Sequence, residues 1–478
     1  MAEGGNARQL KQAVAIAQSL VTSPSGSDQE ATGNARLRHD AHGVARVVSR
    51  LVLSPWVPVM AVTGWFAWAY LHLRPAASVS SSLHPMAAYG PWAWTHLGYS
   101  DTISLYYAFH LANHALPYLH SRVEYPVLTG LFMWLAAWAP GVQGYFLASS
   151  LGLLGCALGT TYCLYRLDRR FAWAFALCPL LLVYGLLNWD ILAIFFMVAG
   201  WASFRARHYA AAGVFLSLGV WAKFFPILLF FYCVVSLLGD PLERVHARRM
   251  VSWGGAVAFL VNAPFAVADV GNWDHFFVFN ARRGGRGGIL YALHLASALP
   301  VSAVDLFSGV LVVLAVALLV PRVLRGGPPA GAAAIGFAVL LVVNKVYSPQ
   351  YMLWLFVFGI IAEWPAWSLV LMCVTGFVDY GDAMMALHLS HTPSPVGSWF
   401  FHVVYPWDQA LRYGSIVLIL LTSQVTARHR AVGCDPAIPS PAPCNDDERF
   451  PNRSTFSNPR GTQVHADRSG PVVAADGQ

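Results

Sequence analysis

Charged residues are scarce in this 478-residue chain: only 11% of the residues are Asp, Glu, Lys or Arg, and 57% are hydrophobic. A soluble domain usually carries about 25% charge, and the mean hydropathy here is +0.52. A single soluble core could not bury so much apolar surface. The formal net charge is +7, but the basic residues lie in short clusters between apolar runs. This pattern is typical of an integral membrane protein and speaks against nucleic-acid binding.

Several sequence signals for cofactors are also missing. Neither CxxC nor a Cys/His zinc spacing occurs among the seven cysteines, five of which lie inside apolar runs as small hydrophobic side chains. The P-loop, the Rossmann GxGxxG and the nucleophile motif GxSxG are absent as well. The many histidines are too scattered to indicate a metal site. We therefore expect neither a disulfide framework nor a structural metal.

Apolar runs predict twelve membrane crossings with both ends in the cytoplasm, with eleven or thirteen as alternatives. The tails 1–45 and 431–478 are polar and predict disordered cytoplasmic segments, so the transmembrane domain extends over 46–430. The predicted crossings, many of them with arginines at the cytoplasmic end, are 51–72, 143–165, 171–187, 190–204, 208–222, 225–239, 250–268, 303–321, 331–344, 350–362, 365–379 and 408–427.

The apolar stretch 127–139 decides the orientation. It is short for a crossing, which takes about 20 residues. If it crossed, the basic cluster at 166–170 would fall outside the cell. If it only lies at the outer interface, that cluster and the later arginine clusters all fall in the cytoplasm. We adopt the second interpretation, which predicts three outer segments: 73–142, 269–302 and 380–407.

Asp101 follows the first predicted crossing. Behind it, Tyr106, Tyr107 and Phe109 indicate a helix lying along the membrane surface. A carboxylate held beside a partly dry cavity is suited to take a proton from a hydroxyl nucleophile. The alternative is that Ser100 or Asp101 only caps this helix.

Further ionisable residues lie at predicted outer boundaries of the membrane. Glu124, just before Tyr125, is either a cavity acid or a first-turn acid favoured by the helix dipole. Asp190, Lys223 and Lys345 lie at the ends of apolar runs. Charges at membrane depth are costly and often functional, although a lysine at a helix end can also extend to the headgroups.

The loop 280–288 breaks the positive-inside trend, because Arg282, Arg283 and Arg286 lie there among four glycines. Arginine is well suited to phosphate oxygens, and glycine lets the backbone approach an anion closely. The alternative is a flexible basic loop that touches anionic headgroups. The residues alone therefore fit an enzyme acting on a lipid phosphate, and they also fit a transporter.

The order of these features resembles the GT-C superfamily of integral-membrane glycosyltransferases. The resemblance is strongest to the actinobacterial glycosyltransferase family 87, the polyprenyl-phosphate-mannose-dependent α-mannosyltransferases. It covers roughly 50–425 and rests on five motifs in order. They are the first-loop acid Asp101, the acid-Tyr-Pro element Glu124-Tyr125-Pro126 (with Val127 in place of a second proline), Asn188-Trp189-Asp190, the Lys-aromatic-Pro element Lys223–Pro226, and the late motif Asn344–Tyr351.

The resemblance implies an all-α, GT-C-like bundle of about twelve transmembrane helices, with outer juxtamembrane helices in the first loop. It implies inverting transfer of a sugar, mannose, from a polyprenyl-phosphate donor to a hydroxyl of a lipid-linked or cell-envelope glycan, at the outer face of the cell membrane. Asp101 would be the general base. Lys345 and Gln350 would be donor-site residues by motif, and three arginines would be donor-phosphate candidates by loop position only: Arg282, Arg283 and Arg286.

Four further residues are expected in the cavity without an assigned step: Glu124, Tyr125, Asp190 and Lys223. No acidic residue lies within two positions of Asp101, so the paired acids of the superfamily are not obvious, which argues against a divalent metal. No other cofactor is implied. Two alternatives remain, a transporter or flippase for a lipid-linked sugar and a non-catalytic scaffold. The absence of an internal repeat and the outer position of the charges favour the enzyme.

Overall fold

The computed structural model describes residues 54–79, 89–283, 288–289, 300–390 and 394–432. Every regular element in these ranges is helical, and the one extended pairing there is an isolated bridge between Pro117 and Ser121. The predicted all-α class is therefore confirmed for the described part of the chain. The two tails predicted to be disordered lie almost wholly outside it.

The first half of the described chain contributes a long first helix, three short helices of the predicted first outer loop, and six further helices that are 5 to 27 residues long. They are α1 (Trp56–Val79), α2 (Tyr89–Thr95), α3 (Asp101–Ala108), a 3-10 turn (Leu111–Asn113), α4 (Val127–Ala136), α5 (Gly141–Leu167), α6 (Arg169–Ala176), α7 (Leu180–Tyr184), α8 (Asp190–Arg205), α9 (Tyr209–Ala222) and α10 (Ile227–Leu238).

The second half alternates long helices with short ones. They are α11 (Arg244–Ala268), α12 (Val270–Trp273), α13 (His275–Arg282), α14 (Val301–Leu324), α15 (Pro329–Val343), α16 (Tyr351–Ile361), α17 (Ala366–Ser390), α18 (Pro395–Trp399), a π-helical turn (Phe400–Val404) and α19 (Tyr405–Val432).

Four helices of the described chain are long and apolar enough to cross a membrane: α5, α11, α14 from Ser302 onward, and α17. Such helices are typical of a membrane-embedded protein, because about 20 apolar residues span the hydrocarbon layer. The apolar stretches of α5 and α17 are 39% buried, whereas those of α11 and α14 are only 17% and 11% buried. Most of the apolar surface of α11 and α14 is therefore exposed in the described chain. The number of crossings, twelve, stays a prediction.

Close helix packing organises the centre of the bundle. Helix α8 packs against α5 and α9, and α9 packs against α11. Gly213 on α9 makes the last contact possible, because a Cβ atom there would lie 2.2 Å from the carbonyl oxygen of Met250. Small residues at such crossings let two helix backbones approach each other closely.

Two predicted crossings differ from the helices observed. The segment 171–187 is not one helix: α6 ends at Ala176, and Pro179 precedes α7, because proline has no N–H and disfavours a helical residue before it. The crossing predicted at 365–379 continues to Ser390. Asp379 and Asp382 lie inside this helix and are buried.

Several apolar helices are shorter than a bilayer is thick. Helix α4 has 10 residues, which is about 15 Å, against about 30 Å for the hydrocarbon layer. Its length agrees with the prediction that 127–139 does not cross; its outer position stays a prediction. Helices α9 and α10 are separated at 223–226, and α15 and α16 at 344–350. Both interruptions carry residues of the site described next.

Candidate active site

The helix ends and interruptions surround a cavity of about 870 Å³. Six of the residues predicted from the sequence line it: Asp101, Glu124, Tyr125, Lys223, Arg283 and Gln350. They come from α3, from the segment before α4, from the α9–α10 interruption, from the end of α13 and from the start of α16. Residues up to 249 positions apart in the chain (from Asp101 to Gln350) therefore line the same cavity.

Asp101 is the first residue of α3, and its backbone is fixed to the segment before α8. Its N–H donates to the carbonyl of Leu187 at 2.7 Å, and the hydroxyl of Ser100 donates to that of Leu186 at 2.7 Å. Neither Ser100 nor Asp101 caps the helix with its side chain. Of the two alternatives for this motif, the structure therefore favours the one in which the carboxylate serves the cavity.

The carboxylate of Asp101 accepts hydrogen bonds from two tyrosines. The hydroxyl of Tyr99 donates to Oδ1 at 2.8 Å, and that of Tyr125 donates to Oδ2 at 3.0 Å. Burial raises the pKa of Asp101 above its ordinary value, whereas the Tyr99 bond, the charge of Lys223 and the Tyr125 bond act in the opposite direction. The result is an oriented carboxylate with an elevated pKa, a property that suits a general base.

Lys223 and Asp190 form an ion pair. Lys223 lines the cavity as predicted, whereas Asp190, also predicted there, does not line it. Asp190 is fully buried at the start of α8, where its N–H donates to the side chain of Asn188 at 3.0 Å. The Lys223 ammonium lies 5.1 Å from the ring centroid of Tyr125 and 5.2 Å from that of Trp354. Because Asp190 neutralises Lys223, this pair adds little net charge to the cavity.

Arg283 lines the cavity from the end of α13, as Glu124 does from the segment before α4. Its guanidinium lies 5.8 Å from the ring centroid of Phe279, and it forms no ion pair with any residue that the structure describes. Burial raises the pKa of Glu124, and the charge of Arg283 lowers it. Arg282 is exposed and does not line the cavity. Arg286 lies outside the described residues.

The late motif is divided between two environments. Gln350 lines the cavity and accepts a hydrogen bond from Ser348. Lys345 does not line it: its ammonium pairs with Asp305 of α14 at 3.0 Å and donates to the carbonyl of Ala281 at 3.1 Å. Lys345, which we predicted in the donor site, instead joins α14 to the end of α13.

Gly288, at the end of the basic loop, approaches protein backbone closely. A Cβ atom at this position would lie 2.4 Å from the carbonyl oxygen of Asn344 and 2.8 Å from that of Lys345. We expected the loop glycines to admit an anion. The missing side chain instead allows Gly288 itself to pack against the backbone of the late motif.

A second charged group, which the sequence analysis missed, lies at another part of the cavity wall. Arg412 on α19 lines the cavity and pairs with Asp379 on α17 and with Asp408 one turn earlier, the latter at 2.8 Å. Its guanidinium carbon lies 4.2 Å above the ring of Tyr347. A signal was present, because acid and base four residues apart at the start of an apolar run predict an ion pair on one helix face.

In the described ranges, no group of three or more His, Cys, Asp or Glu side chains is arranged to hold a metal ion. No family model, curated protein or solved structure matches the chain. Membership of the GT-C superfamily therefore stays a prediction based on the five motifs.

Proposed function

We propose that this protein is a membrane-embedded glycosyltransferase that moves mannose from a polyprenyl-phosphate donor to a hydroxyl of a lipid-linked or cell-envelope glycan. The proposal rests mainly on the observation that Asp101 and Arg283 line the same cavity. A carboxylate that can accept a proton and a cation that can hold a phosphate are the two groups that such a transfer needs.

In the proposed reaction, the acceptor hydroxyl attacks the anomeric carbon of the donor sugar. The new bond joins the acceptor oxygen to that carbon, and the bond from the carbon to the phosphate oxygen breaks. Asp101 takes the hydroxyl proton, and polyprenyl phosphate leaves with the electron pair. Attack from the face opposite the leaving group inverts the anomeric centre. The tyrosine hydroxyls on both oxygens of Asp101 hold the carboxylate in one orientation.

Arg283 is the cation proposed to contact the donor phosphate. Lys223 is neutralised by Asp190 and Arg412 by two carboxylates, whereas Arg283 has no such partner among the described residues. A guanidinium with unused N–H groups binds phosphate oxygens strongly. Gln350, which lines the same cavity, supplies a neutral donor for the remaining oxygens.

A transfer assay tests the proposal. The full chain in lipid nanodiscs receives radiolabelled polyprenyl-phosphate-mannose and a crude lipid acceptor, beside Asp101→Asn. We expect the variant to lose about 10²- to 10⁴-fold in transfer rate, because the positioned base is lost. Asp240→Asn is the matched control, since Asp240 is exposed, does not line the cavity, and accepts one backbone hydrogen bond that asparagine can also accept. Absence of transfer by the unmodified protein, or undiminished transfer by Asp101→Asn, would contradict the proposed function.

One observation favours the alternative, a transporter or flippase for a lipid-linked sugar. Asp379 lies within a candidate spanning helix and pairs with Arg412, and intramembrane ion pairs mark substrate or proton pathways in many transporters. Liposomes that contain a fluorescent lipid-linked sugar and an impermeant quencher separate the two functions. Protein-dependent loss of the protected fluorescence without sugar transfer would support the transporter.

A further inference from the structure

The cavity wall at α17 and α19 differs in character from the wall at Arg283. Arg412 is 3% exposed, and its Nη2 donates to both Asp379 and Asp408. Its Nη1 donates to Gln409 at 2.7 Å, and its guanidinium lies over the ring of Tyr347. A buried arginine held on four sides is a rigid feature of the cavity.

This group does not carry a net positive charge. One guanidinium contacts two carboxylates, so its net charge is −1 with both ionised and zero with one of them protonated. A third carboxylate, Asp382, is buried one turn along α17 from Asp379. A phosphate gains nothing from such surroundings, because its attraction to the arginine is cancelled by repulsion from the acids. Arg283, without a carboxylate partner in the described ranges, offers the opposite environment.

Unused hydrogen-bonding atoms surround Arg412. Within the described chain, Arg412 Nε and Gln409 Nε2 are buried without a hydrogen-bond partner, and the Tyr347 hydroxyl interacts with the carboxylate of Asp379. Buried polar groups without partners are rare and costly in native proteins. Of these residues, Arg412 and Tyr347 line the cavity, and their N–H and hydroxyl groups match a ligand whose hydroxyl groups both donate and accept.

Aromatic rings complete this wall. Tyr184, Tyr347, Tyr380 and Tyr405 line the cavity together with Arg412, and the rings of Tyr184 and Tyr380 lie edge to face with centroids 5.7 Å apart. The electron-rich face of an aromatic ring attracts weakly positive C–H groups. A sugar ring presents such C–H groups on its faces and hydroxyl groups on its rim.

We infer that Arg412, Tyr347, Tyr380 and Tyr405 form a subsite for a neutral, hydroxylated sugar ring, the ring of the acceptor glycan. The donor phosphate would then lie at the Arg283 end, and the acceptor ring at the Arg412 end. Its role as the acceptor subsite rests on the proposed function. Its preference for a neutral sugar over an anion rests on the charges and unpaired atoms around Arg412.

Saturation-transfer NMR with methyl α-mannoside tests the subsite without requiring turnover, since this method detects weak sugar binding. The full chain in nanodiscs is compared with Tyr347→Phe and Arg412→Lys. Tyr347→Phe removes one hydroxyl group and keeps the aromatic ring that packs against Arg412. We expect this variant to bind about three- to tenfold more weakly, the effect of one lost hydrogen bond, and Arg412→Lys to bind still more weakly.

Tyr162→Phe is the matched control, because Tyr162 is exposed on α5 and undergoes the same chemical change outside the cavity. Its sugar binding should equal that of the unmodified protein. Absence of saturation transfer from the unmodified protein, or equal transfer from Tyr347→Phe, would overturn the subsite.

The outcome can be separated from that of the proposed reaction. Sugar binding that depends on Tyr347, in a protein that transfers no mannose, would support the subsite and reject the glycosyltransferase. In an active protein, Tyr347→Phe should raise KM for the acceptor about three- to tenfold and leave KM for the donor unchanged. A rise in the donor KM alone would reject the acceptor assignment and leave the glycosyltransferase standing.

Discussion

At the scale of single residues, the ionisation of Asp101 controls the proposed chemistry. Burial raises its pKa, and hydrogen bonds from Tyr99 and Tyr125 oppose that rise by stabilising the carboxylate. A general base must be deprotonated, so the rate should fall as the pH drops through the pKa of Asp101. We expect this acidic limb above the ordinary aspartate value of about 3.9.

A pH–rate profile of Tyr125→Phe tests this account. Loss of its hydrogen bond to the carboxylate should raise the pKa of Asp101 further, so the acidic limb of kcat/KM should move to higher pH. Glu124→Gln serves as a control, because Glu124 is the other cavity acid whose pKa is raised, and the limb should survive its removal. A limb that disappears with Glu124, or that moves to lower pH in Tyr125→Phe, would assign the titration to another group.

The Lys223–Asp190 pair makes a prediction about stability. Lys223→Met leaves the fully buried Asp190 without its counter-ion, and removing one partner of a buried pair costs about 3–5 kcal/mol. Because Lys223 itself faces the cavity, we expect the lower part of that range. The double variant Lys223→Met/Asp190→Asn should recover much of the loss. Thermal unfolding in one detergent measures the relative stabilities of the unmodified protein, the single variant and the double variant. A double variant less stable than the single variant would contradict this prediction.

At the scale of elements, the sequence predicted where the helices begin and end better than which residues meet. Proline and polar residues mark helix ends locally, so the motifs could be placed at such ends from the sequence. Four of the five motifs contribute residues to one cavity. Lys345 was misplaced since its partner, Asp305, lies 40 residues away on another helix. The pairing of Asp379 with Arg412 was missed for the same reason: it depends on how two helices pack together, which local patterns do not report.

A cross-link tests the packing of the α6–α7 connection against α17. The sulfur atoms of Cys178 and Cys373 lie 3.8 Å apart, although the residues are 195 positions apart in sequence. Both are free thiols, and a disulfide requires about 2.05 Å between sulfur atoms, so a small shift joins them. We expect oxidation by copper phenanthroline in membranes to link the two peptides in non-reducing mass spectrometry. Cys163→Ser should retain the link and Cys373→Ser should lose it; failure of the unmodified protein to form it would contradict this packing.

At the scale of the whole molecule, the arginine clusters predict orientation. Arg248 lies near the start of α11, a 25-residue helix, and Arg282 follows the other end of it on α13. A helix of this length extends about 37 Å, enough to separate its two ends across a bilayer. The positive-inside rule puts Arg248 in the cytoplasm, which predicts that Arg282 and the cavity face outward.

Cysteine labelling in whole cells measures this orientation. In a cysteine-free background, Arg282→Cys should react with a membrane-impermeant maleimide in intact cells. Arg248→Cys should react only after the cells are permeabilised, and both side chains are exposed in the fold, so burial does not explain a difference. The opposite pattern would place the cavity on the cytoplasmic side and remove the outer-face assignment.

The apolar outward faces of α11 and α14 also bear on which substrate concentration controls the rate, the concentration in the bulk solution or the mole fraction in the membrane. Helix α13, which carries Arg283 at its end, follows α11 and is joined to α14 through Lys345. Under the proposed function, the headgroup of the lipid-linked donor would enter the cavity while its hydrocarbon tail stayed in the bilayer beside these helices. Encounters then occur by lateral diffusion in two dimensions. The rate should follow the mole fraction of substrate in the membrane, so adding inert lipid at constant protein and substrate should slow turnover by surface dilution.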